Sequence, residues 1–285
     1  MPFFWTVVAR DGLVLGNRDR KSPARDLNPK LMAYACHNEM LTGRADPRIN
    51  FNDKRPNPNV TVLEWLSRRD AYRGRVGAVG AWDVLPWILN TERSGISVNA
   101  GWQPIQGTNL SSDARLLNRM IETAVQQIDD VRDDVFTFRV AMEALPRNKP
   151  RVFFLDLGVD DYAHYGRYDL YLHGARQFDT HIKELWETLQ SHPQYRDTTT
   201  MIIATDHGRG RSSRDWRNHK PDIPGSDEIW LAVLGPDTPS LGERTDTPET
   251  TLGQVAALLG ELTPFREAFP QAAPPIGEAV GRDPR

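Results

Sequence analysis

Five short apolar runs divide the chain, and polar or amphipathic stretches separate them. The runs are rich in Val, Ile, Phe and Trp, which favour strands. They lack the alternation of apolar and polar residues that marks a strand with one solvent-exposed face. Runs of this length between turn residues are typical of strands buried in a parallel sheet. We therefore predict strands at residues 3–8, 76–81, 152–157, 201–205 and 229–234.

Helical periodicity fills the segments between these runs. Within residues 168–190, apolar side chains such as Leu172, Ile182 and Leu189 fall on one stripe of a helix. Residues 112–130, 60–66 and 252–259 are also predicted to be helices, and Ser111 or Ser112 is placed to cap the first of these three. Strands that alternate with helices predict an α/β fold, a three-layer α/β/α sandwich with a mostly parallel central sheet.

The chain has no internal repeat and no low-complexity array, so we interpret residues 1–263 as one domain. Residues 264–285 form a Pro- and Ala-rich tail, which we expect to be only partly ordered. Segments 15–30 and 44–60 are rich in Pro, Asn, Asp and Arg, which is typical of long surface loops.

Composition excludes several classes of protein. The chain has 35 basic and 38 acidic residues and a net charge of −3, which argues against a nucleic-acid scaffold or an anionic membrane as partner. The single cysteine excludes an internal disulfide. No apolar run is long enough to span a bilayer, and residues 1–9 lack the basic region and cleavage motif of a signal peptide. The cellular compartment and the oligomeric state stay open.

Carboxylates and imidazoles follow two of the predicted strands. Asp160 and His164, four residues apart, come after the third strand, and Asp206 and His207 end the fourth. Ligands of open α/β sheets gather at the carboxyl ends of strands, so the two pairs are expected to converge. His219 lies in a polar loop before the last strand. One such Asp is more often a cap and one such His a hydrogen-bonded side chain, but the combination favours a metal site.

These residue types are ligands that Zn²⁺ and Mn²⁺ accept at about 2.0–2.2 Å. Two ions roughly 3.5–4 Å apart can hold both the attacking and the leaving oxygen of a phosphoryl transfer. Five ligands shared by two ions leave positions open for a substrate. The pattern therefore predicts a divalent cofactor, Zn²⁺ first and Mn²⁺ second, and a small anionic ester as ligand.

The order of these motifs resembles the alkaline phosphatase superfamily, which includes nucleotide pyrophosphatase/phosphodiesterases, cofactor-independent phosphoglycerate mutases and sulfatases. The resemblance rests on Asp-x-x-x-His, then Asp-His-Gly, then a later His, and covers roughly residues 30–260. It implies an alkaline-phosphatase-like fold and metal-dependent hydrolysis of phosphoric or sulfuric esters. It also implies that Asp160, His164 and His219 bind one ion, whereas Asp206 and His207 bind the other.

The same resemblance locates the nucleophile position. In this superfamily a Ser or Thr lies about ten residues before a Thr-Gly pair, which here is Thr42-Gly43, and the count reaches Ala33. Alanine has no group that attacks phosphorus or sulfur. Cys36 lacks the Cys-x-Pro-x-Arg pattern of sulfatases and is predicted to be a buried, inert thiol. His37 is out of register for a nucleophile or a ligand.

An aspartate at the end of the first strand is also expected from the resemblance. Asp11-Gly12 matches it in letters only, because these residues follow the predicted strand 3–8 and fit a hairpin turn. We therefore expect the chain to begin after the first strand of the fold. Full-length relatives are often periplasmic or secreted.

Further polar residues are weaker candidates. Arg209 and Arg211 lie in an arginine-rich loop and are candidates for binding phosphate or sulfate, although a solvated loop is an equally good interpretation. Asn52, with Asn50 close by, lies beyond Thr42-Gly43, where related phosphodiesterases have an amide near the transferred group.

The sequence thus leaves three hypotheses open. The first is a metal-dependent ester hydrolase in which water or another group replaces the absent nucleophile. The second is a catalytically inactive member of the fold that binds metal and an anion. The third is a piece of a longer enzyme in which Ala33 is natural or was introduced to trap a substrate.

Overall fold

A computed structural model describes residues 1–158, 161–263, 269 and 273–281, except for the side chain of residue 161. The chain divides into two compact units. The terminal unit comprises Met1–Asn52 and Asp160–Arg285, and the central unit comprises Asp53–Val159. The sequence-based assignment of residues 1–263 to one domain stays a prediction.

Nine strands and ten α-helices are present in the part of the chain that the structure describes. The strands are β1 (Leu13–Leu15), β2 (Ala24–Arg25), β3 (Val76–Gly80), β4 (Ser97–Ala100), β5 (Val152–Asp156), β6 (Met201–Ala204), β7 (Leu231–Leu234), β8 (Gly242–Glu243) and β9 (Thr250–Thr251). The helices are α1 (Ala9–Asp11), α2 (Ala33–Thr42), α3 (Val62–Ser67), α4 (Leu85–Ile88), α5 (Thr91–Ser94), α6 (Ser112–Thr123), α7 (Asp134–Asn148), α8 (Asp161–His164), α9 (Tyr168–Ser191) and α10 (Gln254–Glu261). A π-helix over Phe4–Val8 and 3₁₀ turns over Arg18–Arg20 and Asp70–Tyr72 complete the set.

The central unit is built on a parallel sheet in the order β4-β3-β5. An apolar cluster that includes Val79, Leu117, Ile121 and Val140 joins this sheet to α6 and α7. The side chain of Ser111 caps α6, since its Oγ accepts a hydrogen bond from the Ala114 N–H at 2.8 Å. These elements confirm the two predicted strands of this unit and the start of the predicted helix 112–130, which ends at residue 123.

The terminal unit has a mixed four-stranded sheet in the order β6-β7-β1-β8 and a short parallel pair, β2 with β9. Strand β7 is antiparallel to both β6 and β1, whereas β1 is parallel to β8. Two apolar clusters cover this sheet, one involving the N-terminal helical segment and α9, and the other α10. The α/β fold class is confirmed, with the fully parallel sheet in the central unit.

The prediction of a strand at residues 3–8 was wrong, because Phe4–Val8 is helical and continues into α1. A short apolar run does not distinguish a buried strand from a buried helix. The Asp179 carboxylate accepts hydrogen bonds from the N–H groups of Phe3 and Phe4 at 3.0 and 2.8 Å, which satisfies the start of this helix.

The predicted hairpin turn at Asp11-Gly12 was also wrong. Gly12 connects α1 to β1, whose antiparallel partner is β7 rather than a neighbouring segment. A Cβ on Gly12 would lie 2.1 Å from the Val233 carbonyl oxygen, so close approach of the two backbones requires glycine here.

One loop prediction needs correction. Segment 15–30 is not only surface loop, since it contains β2 and the buried residues Ser22, Ala24, Asp26 and Asn28. In the described part of the tail, Ile276 and Ala279 are buried in the cluster that covers β1 and β7. No helix in the described ranges is long and apolar enough to cross a membrane.

Candidate functional site

The first turn of α2 carries the position where the resemblance calls for a nucleophile. The helix begins at Ala33 after an extended Met32, and it ends at Gly43, which has a left-handed φ of 83°. The Tyr34 N–H donates to Asn52 Oδ1 at 3.1 Å, so the Asn52 side chain satisfies one of the open N–H groups of this turn. Asn52 therefore contacts the residue that follows Ala33.

Three histidines and one aspartate meet in the terminal unit. The rings of His207 and His219 stack with centroids 3.6 Å apart, and the His164 ring lies 5.2 Å from that of His219. Asp206 Oδ2 lies 3.4 Å from His207 Nε2. Four of the five predicted metal ligands thus converge. The fifth, Asp160, lies outside the described residues.

Backbone carbonyls fix the tautomers of two of these imidazoles. His219 Nδ1 lies 2.8 Å from the Leu31 carbonyl oxygen, and His207 Nδ1 lies 2.9 Å from that of Gly208. Because a carbonyl only accepts, each Nδ1 is the donor and each neutral ring keeps its Nε2 lone pair. This hydrogen bond to the second nitrogen is the arrangement that orients metal-binding histidines.

Burial and nearby positive groups keep His219 neutral. Burial is the largest cause that lowers its pKa, to about 3, and His207, Arg209 and His164 lower it further. The hydrogen bond to Leu31 acts in the opposite direction but does not reverse the shift. At neutral pH the ring is therefore available as a ligand without loss of a proton.

The two candidate arginines differ in their surroundings. Arg209 Nη2 lies 3.3 Å from His164 Nε2, and Arg209 Nη1 donates to the Arg217 carbonyl oxygen at 3.0 Å. Arg211 instead pairs with Glu228, to whose Oε2 its Nε donates at 2.9 Å. Arg209 alone of these two lies among the histidines, and its guanidinium would have to move for His164 Nε2 to bind a metal.

The donor chemistry fits a divalent ion, although within the described ranges no group of three or more His, Cys, Asp or Glu is already arranged to hold one. Two ligands at about 2.0–2.1 Å from a tetrahedral ion lie roughly 3.4 Å apart. The separation of Asp206 Oδ2 and His207 Nε2 is 3.4 Å. Neutral imidazole and carboxylate are also the donor types that zinc and manganese select.

Sequence reasoning missed a buried aspartate next to this site. Asp26 directly follows β2 and is 2% exposed, and its carboxylate forms side-chain hydrogen bonds with the Cys36 thiol and the Glu39 carboxyl group. The negative charge of Asp26 raises the pKa of the Cys36 thiol, as the charge of Asp206 also does. A strand of two residues leaves no apolar run, so the only available signal was an aspartate between two segments rich in polar residues.

The buried face of α2 holds further groups in this region. His37 Nδ1 lies 2.8 Å from the Ala33 carbonyl oxygen and 3.9 Å from Asp206 Oδ2, so this histidine is closer to the candidate ligands than its register indicated. The prediction of a buried thiol at Cys36 is confirmed. Burial, and then Asp26 and Asp206, raise the pKa of Cys36 well above its usual value. Burial and Asp26 also raise the pKa of Glu39, to about 9.

No family model matches the chain, and no curated protein matches it. Among solved structures, a variant of alkaline phosphatase PafA is 10% identical with a TM-score of 0.65, over 97% of this chain and 93% of that one. The lipoteichoic acid synthase LtaP from Listeria monocytogenes is 10% identical with a TM-score of 0.65, over 96% of this chain and 68% of that one.

A 2-O GAG sulfatase, BT1596, is also similar, with 11% identity and a TM-score of 0.56. The alignment covers 94% of this chain but only 65% of the sulfatase. Identities this low show shared architecture and nothing further, and the similar structures are of a phosphatase, a synthase and a sulfatase. The chain therefore has an alkaline-phosphatase-like α/β fold.

Proposed function

We propose that this protein is a metal-dependent hydrolase of phosphoric or sulfuric esters. The observation that carries the proposal is the convergence of Asp206 with His164, His207 and His219 in the terminal unit. The fold shared with phosphatases and sulfatases agrees with it. The proposal extends only to the class of ester, phosphoric or sulfuric, and names no individual substrate.

By the resemblance, Asp160, His164 and His219 would hold one ion, and Asp206 and His207 the other. Asp26 is our candidate for the remaining carboxylate, because it is buried and its charge, like that of Asp206, acts on the Cys36 thiol. A bound divalent ion would act as a Lewis acid that withdraws electron density from the ester.

The chain's own residues would bind and orient the anion. The Arg209 guanidinium is always charged and forks toward the oxygens of phosphate or sulfate. The N-terminus of α2 adds the positive end of a ten-residue helix. Asn52 Oδ1 is already an acceptor for Tyr34, so the amide NH₂ of Asn52 is the group that would reach an ester oxygen.

Ala33 decides between two forms of this proposal. With no hydroxyl at this position, water must form the new bond to phosphorus or sulfur while the bond to the alcohol oxygen breaks, and the alcohol takes up the proton. Attack by unassisted water is slower than attack by a positioned side chain. The methyl group of Ala33 thus specifically favours the second candidate function, binding of metal and anion without turnover.

The Asp206→Ala variant tests the metal site. After desalting, we expect the wild-type chain to retain divalent metal, as measured by elemental analysis. Asp206→Ala should lower the affinity by at least roughly 100-fold, since loss of even an outer-shell partner costs about 10–100-fold. Hydrolysis of p-nitrophenyl phosphate, bis-p-nitrophenyl phosphate and p-nitrophenyl sulfate by both chains gives the turnover. Asp237→Ala, an exposed carboxylate of the same unit, is the control.

Two outcomes would separate the forms of the proposal. Metal retained without turnover of any of the three esters would support the binding function over the hydrolase. A wild-type chain that takes up no divalent metal under any loading condition would contradict both.

The Arg209→Gln variant should bind metal more tightly and anions more weakly. The guanidinium lies 3.3 Å from His164 Nε2, where its charge repels a cation. Removal of a positive charge about 4 Å from a bound cation improves the free energy of metal binding by on the order of 1 kcal/mol or more. We therefore expect metal affinity to rise roughly 5-fold or more. Titration with Zn²⁺ and with phosphate measures the two effects. Arg211→Gln is the matched control because that guanidinium pairs with Glu228, and equal effects of the two variants would argue against our placement of Arg209.

A further inference from the structure

Aromatic side chains lie partly exposed at the start of α9. Tyr165 is 66% exposed and Tyr168 is 53% exposed. The Tyr168 ring packs edge-on against Trp216 with centroids 5.0 Å apart, and Tyr171 lies 6.4 Å from the same indole. We call Tyr168, Tyr171 and Trp216 the aromatic patch, which Tyr165 precedes in sequence. Large rings left open to solvent in one place are typical of a binding surface.

The aromatic patch is continuous with the candidate metal site through the backbone. Tyr165 directly follows His164, and the next residue, Gly166, turns the chain with a φ of 72°. The Gly166 N–H donates to the Ala163 carbonyl oxygen at 2.9 Å, which closes the turn between α8 and α9. Any ligand held at His164 therefore has the aromatic patch as its neighbour along the chain.

Side chains make a second connection. A Cβ at Gly166 would lie 3.1 Å from Arg217 Nη1, so the Arg217 side chain covers the turn. The Arg217 carbonyl oxygen accepts from Arg209, whose other terminal nitrogen lies 3.3 Å from His164 Nε2. Arg217 follows Trp216 in sequence, so Arg217 and Arg209 connect Trp216 with His164.

This order of groups matches one kind of ligand. Guanidinium groups favour the anionic head of an ester, and under the proposed function the imidazoles would hold the metal beside it. Aromatic faces favour a flat ring, since stacked or edge-to-face pairs with centroids about 4.5–7 Å apart are stabilised beyond the area that they bury. A flexible alkyl group gains burial but not this pairing.

We infer that the aromatic patch binds the organic group of the ester and that this group carries a flat aromatic ring. The inference rests on the proposed function, because the anionic head is the part held by Arg209 and the histidines. The aromatic patch would then determine which ester is bound and would contribute nothing to the breaking of the bond.

Binding of non-hydrolysable phosphonates tests this inference without turnover. Calorimetric titration of the metal-loaded chain should give about 10-fold tighter binding of phenylphosphonate than of methylphosphonate, the size expected for one stacked ring. Cyclohexylphosphonate, which is apolar but not flat, should bind more tightly than methylphosphonate because it buries more area, but more weakly than phenylphosphonate. Trp216→Leu and, independently, Tyr168→Leu should reduce the ratio of phenyl to methyl affinity toward one. Trp87→Leu, a partly exposed tryptophan of the central unit, should leave the ratio unchanged.

The outcomes distinguish the inference from the proposed function. If methylphosphonate and phenylphosphonate bind equally, or cyclohexylphosphonate binds as tightly as phenylphosphonate, the aromatic patch does not select a flat ring, while the anion site stands. If neither phosphonate binds, the proposed function and the inference both fail. A preference that persists in both variants would also overturn the role of the aromatic patch.

Discussion

Replacement of Ala33 by threonine is expected to raise turnover of p-nitrophenyl phosphate by at least about 100-fold over the wild-type chain. Removal of the nucleophile from a comparable assembled site costs roughly 10⁴–10⁶ in rate, so partial recovery by a reintroduced hydroxyl is a modest expectation. The new Oγ would lie on the first turn of α2, next to His37, which contacts the Ala33 carbonyl oxygen and lies 3.9 Å from Asp206 Oδ2. The cost of threonine in a helix is only about 0.5 kcal/mol.

Valine at the same position is the matched control, because it has the shape of threonine but no hydroxyl. Ala33→Val should stay at the wild-type rate, and initial rates of ester hydrolysis at saturating metal compare the three chains. Equal rates for the Thr and Val variants would mean that residue 33 is not the nucleophile position.

The Glu64→Ala variant is expected to lose about 2–3 kcal/mol of unfolding free energy, below most of the range for a fully buried ion pair, because the Arg93 side chain is 31% exposed. Glu64 is fully buried. Its Oε1 accepts from Arg93 Nε at 2.9 Å, and its Oε2 accepts from Arg93 Nη2 at 2.7 Å. Arg68 Nη2 also donates to Oε1. Alanine would leave the bidentate guanidinium of Arg93 without its carboxylate.

Urea unfolding of Asp70→Ala supplies the comparison. Asp70 pairs with Arg73 at 2.8 Å on the surface of the same unit, and its side chain is 94% exposed. A surface pair of this kind contributes about 0–1 kcal/mol. If both variants lose the same small amount of unfolding free energy, then the pair of Glu64 with Arg93 does not hold α3 to α5 as its contacts indicate.

The residues of the candidate site could be named from strand ends and from the resemblance, but not from one common sheet. Strand β6 is a clear apolar run, so Asp206 and His207 could be assigned to its carboxyl end from sequence. His164 follows β5, which belongs to the parallel sheet of the central unit, whereas β6 lies in the mixed sheet of the terminal unit. The rule for ligands at the edge of one parallel sheet therefore does not account for the approach of His164 to His219, whose ring centroids are 5.2 Å apart.

Other features depend on long-range packing that local patterns do not encode. Residues 3–8 became a helix because the Asp179 carboxylate, far along the chain, satisfies its first N–H groups. Asp26 was missed because β2 has two residues and is defined by pairing with β9. Arg211 was indistinguishable from Arg209 until the partner Glu228 was known.

The position of the central unit in the chain bears on how the site is made during synthesis. The groups of the candidate site come from residues 26–52 and from residues beyond 160, whereas Asp53–Val159 forms its own compact unit with its own apolar cluster. On a ribosome, the whole central unit must emerge before the second set appears, and domains generally fold as units during synthesis. Until His219 has emerged, the candidate site is incomplete in the nascent polypeptide, although Asp26 and α2 are already present. Under the proposed function, a metal would therefore bind late in biogenesis and would not serve as a nucleus for folding.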